Sequence, residues 1–287
     1  MSAAALCRNC NAGLTGRYCS NCGQIADVHV PSTRELVHEA LEGLTHSDSR
    51  LWSTLKTLLF KPGKLTQEFI AGRRVAYLPP FRLYLILSVG FFLVASFAHF
   101  KSQAIIADAG PTHKTTESDC TGGTLNFLGA TQNPEWNARL QRACVGIVRD
   151  NGTSLLHVGV GLMSKAMFVL VPLVAFVHML IYWWPRYRYA VHLLFFLHLH
   201  AFFFFAATLL ALLGDAAEKW PALTHVDSIG STLLCWWMVA YSVVAMRHVF
   251  HMGWLLTLAK ALALFLVYII MLGLTLAGVF FYAALQL

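Results

Sequence analysis

Seven cysteines fall into three groups, and two of the groups can do chemistry. Cys7-x2-Cys10 and Cys19-x2-Cys22 form two knuckles separated by eight residues. Each tight Cys-x2-Cys turn offers two thiolates, and four thiolates at about 2.3 Å complete a tetrahedral zinc site. A redox pair would not need two knuckles; an iron–sulfur centre is the other occupant such a set can take. Four sulfurs leave no open coordination position, so the expected Zn2+ is structural. A segment this small has no hydrophobic core and needs its metal to fold. Cys120 and Cys144 make the second group. In an oxidising compartment they are expected to pair, which on a chain-entropy basis stabilises by about 3–4 kcal/mol; the alternative is two free thiols. Cys235 sits in an apolar block and reads as a small core residue.

Thirteen histidines are many for so apolar a chain. His178, His192, His198 and His200 fall within or beside apolar blocks, and His248 follows another. Polar groups inside a membrane are candidate functional groups by default. His178 and His198 would lie at similar depth, where two facing imidazoles could ligate a b-type haem; a path of histidines could also carry an ion. Single interhelical hydrogen bonds are the ordinary alternative and the preferred one. His198-Leu199-His200 puts two rings on different helix faces, which weakens a single-site reading.

A basic cluster of Lys61, Lys64, Arg73, Arg74 and Arg82 is interleaved with Phe60, Phe69, Tyr77 and Phe81. Against the start of the first apolar block it suits anionic lipid headgroups better than nucleic acid. No phosphate loop of Walker type, no His-Glu-x-x-His helix and no Gly-x-Ser-x-Gly elbow is present. The few carboxylates avoid the apolar blocks, so a buried acid–base pair is not expected.

The elements that hold these residues follow from composition. The chain is 57% apolar and 12% charged, with mean hydropathy +0.59. An ordinary soluble domain is about a quarter charged. The apolar residues cluster in blocks long enough for a bilayer, which takes roughly 20 helical residues. The expected fold is an all-α polytopic membrane protein with a small N-terminal zinc ribbon. Five transmembrane helices are expected, over about 81–100, 163–184, 190–213, 229–246 and 261–285. The ribbon takes 1–27, a juxtamembrane helical region 28–80, and an outer loop about 101–154. With the N-terminus inside, fourteen of the 21 Lys and Arg lie on the inner side and seven outside, in accord with the positive-inside rule. The expected placement is the inner membrane of a bacterium, N-terminus cytoplasmic and C-terminus periplasmic. No secretory signal precedes the first apolar block.

Smaller elements can be read too. Ser32 with Glu35 has capping-box spacing for a polar helix. A helix of about a dozen residues from Asp48 is too short to span and is read as interfacial, with packing on the protein's own core as the alternative. Pro62-Gly63 ends it, and a short helix follows with Gly72 as its C-terminal cap. Asn133-Pro134 opens a helix through about Val148 in the outer loop.

Tyr18-Cys19-Ser20-Asn21-Cys22-Gly23-Gln24, then Leu59-Phe60-Lys61-Pro62-Gly63, Gly72-Arg73-Arg74 and Tyr77-Leu78-Pro79 carry a resemblance. Over roughly its first 90 residues the chain resembles an uncharacterised bacterial membrane-protein family, labelled a domain of unknown function. That family has a zinc-ribbon head and a Pro-Gly…Gly-Arg-Arg…Tyr-x-x-Pro segment. The resemblance implies architecture and supplies no activity. The expected function is therefore non-enzymatic: an accessory, assembly or regulatory factor docking another protein through the ribbon or juxtamembrane region. The alternative is a membrane metal- or haem-binding redox protein, or an ion transporter, using the histidines.

Overall fold

A computed structural model describes residues 6–26, 50–97, 120, 134–149, 153–183, 186–284 and 286. The expected helix after Ser32 lies outside them, as does most of the outer loop. Among the described residues the chain forms eight α-helices and no strands: α1 (Leu51–Phe60), α2 (Lys64–Ile70), α3 (Pro80–Phe97), α4 (Pro134–Arg149), α5 (Thr153–Ile181), α6 (Tyr189–Lys219), α7 (Thr224–Phe250) and α8 (Trp254–Ala284). A 3-10 turn, Pro221–Leu223, links α6 to α7.

Four helices, α5 to α8, are long and apolar enough to cross a membrane, which makes the chain a multi-pass membrane protein. The fifth expected span corresponds to α3, whose apolar stretch Pro80–Ser96 is shorter; residues 98–100 of that expected span are not described. The long block from Trp254 forms one continuous helix rather than two.

The chain divides into two compact units, Met1–Phe91 with Val171–Tyr268, and Phe92–Leu170 with Ile269–Leu287. The first unit is built on α6. Of its apolar stretch 67% is buried, against 17% for α7, and Ala190 to Phe202 is buried without a break. Phe195, Phe196 and Phe202 fill the core, each aromatic ring burying a large apolar area. α1, α2 and α7 pack on α6, and α2 also packs on α7.

α1 settles between the two readings of it. Leu58 is buried, and its carbonyl accepts the Tyr241 hydroxyl of α7 at 2.5 Å. Thr54, also buried, accepts the Leu78 amide through its hydroxyl at 2.9 Å. The helix therefore packs on the protein's own helices, while Trp52 and Phe60 on its other side stay exposed. Thr54, a polar residue, is thus one of the helix's anchors.

In the second unit Cys120 and Cys144 form the expected disulfide, with Cα atoms 5.7 Å apart. α4 opens at Pro134, where the missing N–H costs nothing at a helix start. A side chain at Gly159 would meet the Phe280 ring at 2.7 Å, so a small residue lets α5 and α8 approach there.

Candidate metal centre

The two cysteine knuckles are copies of one local structure, offset by twelve positions. The Cys7 amide bonds Ala12 O at 2.9 Å, and the Cys19 amide bonds Gln24 O at 2.8 Å. Asn11 N–H reaches Cys7 O at 2.9 Å, and Gly23 N–H reaches Cys19 O at 2.8 Å. Asn11 and Gly23 both take the left-handed conformation, at φ 59° and 73°. The bridges Leu6–Gly13 and Tyr18–Ile25 close the two turns alike.

These turns bring four sulfurs together. All lie within 4.8 Å of one another, with Cys7 and Cys22 at 3.6 Å and Cys10 and Cys19 at 3.5 Å. Tetrahedral thiolates at about 2.3 Å from a metal stand about 3.8 Å apart, so the set can hold a metal ion with little movement. Backbone amides aim at the sulfurs: that of Ala12 is the main reason Cys10 falls to about 6. The Gln24 amide lowers Cys22 in the same way, but burial and the thiols of Cys10 and Cys7 push it up to about 11. Four thiolates so close repel one another, and a cation between them removes that cost.

The head is tied to the membrane-proximal chain by a residue the sequence reading did not single out. Gln24 is 3% exposed. Its side-chain amide donates to Gly72 O at 2.6 Å and its Oε1 accepts the Arg74 amide at 3.3 Å. The same residue's carbonyl holds the Cys19 amide inside the second knuckle. Position 24 thus joins the metal turn to the Gly72-Arg73-Arg74 segment. Its place beside Cys22 in the quoted motif was the only available signal.

Gly72 ends α2 as expected. At φ 83° it lets its own amide bond Phe69 O at 3.2 Å and the Arg73 amide bond Glu68 O at 2.8 Å, the two bonds of a Schellman cap. Part of the basic cluster is also engaged within the protein. Arg73 donates through Nε and Nη2 to the buried Glu68 carboxylate, and Lys64 meets it at 2.9 Å. Their hydrogen bonds, Arg73's foremost, hold Glu68 down at about 2. Arg74 spends its Nε on Phe69 O at 3.4 Å. Arg82 is 9% exposed. Lys61 and Lys64 are exposed. A carboxylate four residues before Gly72, Glu68, is the organiser that the sequence did not reveal.

Pro62-Gly63 does more than end a helix. Gly63 sits at φ 76°, and a Cβ there would lie 2.8 Å from Ala245 O of α7. The elbow is pinned from both sides: His248 Nδ1 donates to Pro62 O at 2.9 Å, and Gln67 Nε2 donates to His248 O at 2.6 Å. Thr66 Oγ1 meets His198 Nδ1 of α6 at 2.9 Å, with Phe69 against the same ring.

The intramembrane histidines separate into distinct places. His178 pairs with His192, Nδ1 to Nδ1 at 2.8 Å, and not with His198. Both rings are buried among Tyr182, Phe195 and Phe250, and each leaves Nε2 without a hydrogen bond among the described residues. His200 bonds Phe196 O through Nδ1 at 2.9 Å and the Tyr268 hydroxyl through Nε2 at 3.2 Å. His248 belongs to the elbow. The two rings matched by depth for a haem, His178 and His198, thus have different partners. Depth along a helix is readable from sequence; rotation about the helix axis is not. Among the described residues, the four cysteines are the only group of three or more His, Cys, Asp and Glu that could hold a metal.

Residues 48–92 match a family model described as "Protein of unknown function (DUF3667)". The matched stretch contains α1, the elbow, α2 with its cap, and the start of α3, so the juxtamembrane resemblance stands on the segment that docks on α6 and α7. No curated protein and no solved structure matches the chain.

Proposed function

We propose that the chain is a non-enzymatic membrane protein whose zinc-loaded head is a fixed docking platform for a protein partner at the inner face. One observation carries this: Gln24 locks the metal turn to Gly72 and Arg74, making the head a rigid extension of the helices. Four thiolates suit zinc in a structural role. The sulfurs fill its coordination, so the head can shape a surface but has no position left for catalysis. That surface carries exposed Leu6, Tyr18 and Ile25, apolar side chains that a partner would cover. On this reading the protein lies in the inner membrane with the head in the cytoplasm, where thiolates stay reduced, and the disulfide outside.

The test is purification in mild detergent, then metal analysis and identification of co-purifying proteins. The expected result is one zinc per chain and a partner recovered with wild type but lost from a Leu6→Asn/Tyr18→Ser double variant that keeps its zinc. A chain without metal, or a partner indifferent to both changes, overturns it. A second reading, a redox or ion-carrying role in the membrane, is favoured only by the His178–His192 pair with its two unbonded Nε2 atoms. A Soret band or a second metal per chain would support that reading; a colourless protein with one zinc removes its haem form.

A further inference from the structure

A cavity of about 300 Å3 opens beside the elbow, lined by Gln67, Arg247, His248, His251 and Met252. Its size is at the low end for small-molecule sites, roughly 300–1,000 Å3. Its lining holds one permanent cation, two imidazoles and an amide, and no carboxylate.

The polar groups are held in place by their other contacts. The Arg247 guanidinium lies over the Trp254 ring at 4.3 Å, and its Nε is buried without a hydrogen-bond partner among the described residues. The ring holds the guanidinium in place, and its Nη groups are what it can offer an oxyanion in the cavity. Pro62 O can only accept, so His248 must carry a proton on Nδ1 to bond it at 2.9 Å. In the imidazolium form, Nε2–H is the ring's remaining donor for an oxyanion. Gln67 has its amide nitrogen on His248 O and so holds the wall. His251 completes the lining from a left-handed C-cap at φ 51°, a region that histidine enters more often than most side chains. Basic residues in a last helical turn often just complement the helix dipole. That account does not explain why Arg247, His248 and His251 line one cavity with no carboxylate in its wall.

We propose that this cavity is a binding site for a phosphate-type oxyanion, gripped by Arg247 with His248 and His251. It is independent of the metal head and uses none of the basic residues before the first apolar helix. The phosphate can be that of a phospholipid headgroup or of a soluble phosphate ester; both present the same charged oxygens.

The experiment uses the full chain in detergent. Native mass spectrometry counts retained phosphatidylglycerol against diacylglycerol, which lacks the phosphate. Equilibrium dialysis with inorganic phosphate provides the soluble arm. Arg247→Gln is expected to weaken binding roughly tenfold or more, as loss of a charge-assisted pair does. His251→Asn, which keeps a residue tolerant of the left-handed cap, should weaken it by a smaller factor. Lys56→Gln, exposed and away from the cavity, should change nothing. Lipid preference alone assigns the headgroup as source, phosphate binding alone a soluble ligand, and both an open site; each supports the proposal. No binding in either arm, or binding unchanged in folded Arg247→Gln and His251→Asn, overturns it. Should Arg247→Gln fail to fold, His251→Asn decides alone.

Discussion

At Gly63 two constraints meet on a single residue. A left-handed backbone costs an L side chain about 1–2 kcal/mol, and at φ 76° glycine avoids that. A Cβ at 2.8 Å from Ala245 O adds overpacking against rigid helix backbone. Gly63→Ala is expected to destabilise by roughly 2–4 kcal/mol, read as a lowered unfolding midpoint in detergent. Gly23→Ala, at φ 73° but facing open space, should lose only the backbone part. Glu68 sets a second expectation. Its folded pKa, about 2 because Arg73 and Lys64 hold it, lies below the unfolded value of about 4.3. A depressed carboxylate contributes stability above the unfolded pKa and loses it as pH falls through the folded one. Glu68→Gln should therefore cost about 2 kcal/mol at pH 7, and the gap from wild type should shrink between about pH 4 and pH 2. A gap that held constant through that window would remove the ion pair as its cause.

The elements that matter are short. α2 has only seven residues, too few to be stable alone. It exists because Thr66, Gln67 and Phe69 engage α6 and α7, and because Gly72 caps it. The head likewise has no core and leans on the same cap through Gln24. Head and cap should therefore respond as one unit. Gln24→Ala is expected to speed amide exchange at 72–74 by roughly one to two orders of magnitude, as loss of two hydrogen bonds implies. Removing the metal with a chelator should do the same, and adding chelator to Gln24→Ala should add little more. Independent, additive effects would show that the metal turn and the clamp are not coupled. The family match ends up on this same short region, which explains its Pro-Gly and Gly-Arg-Arg residues physically: one permits close approach to α7, the other caps α2.

At the scale of the whole molecule, the proposed orientation puts the thiols and the disulfide in different redox compartments. The four head cysteines are free and Cys120–Cys144 is bonded. A membrane-impermeant maleimide added to intact cells should label neither set. After an impermeant reductant it should label Cys120 and Cys144 while the head stays protected. Head labelling in intact cells would invert the proposed orientation. The same scale explains the exposed leucines and isoleucines of α8, such as Leu255, Leu262, Ile270 and Leu274. On a helix apolar enough to span, they face hydrocarbon instead of water.

The sequence by itself determined what depends on neighbours along the chain. That covers the cysteine knuckles, the helices apolar enough to span, the Pro-Gly break, the Gly72 cap and the start of α4 at Pro134. Each follows from local spacing, torsion preference or apolar run length. The fifth expected span fell on α3, whose apolar run is shorter than those of the other four. Only the tertiary structure decided contacts set by helix rotation and long-range docking. Thr54, Thr66 and Tyr241 became buried anchors, Arg82 left the surface, and His178 turned to His192 instead of His198. Gln24, forty-eight residues before its partner Gly72, became the bolt of the head. Periodicity tells which face of a helix is apolar. In a chain apolar on nearly every face, it cannot tell which polar side chain will meet which.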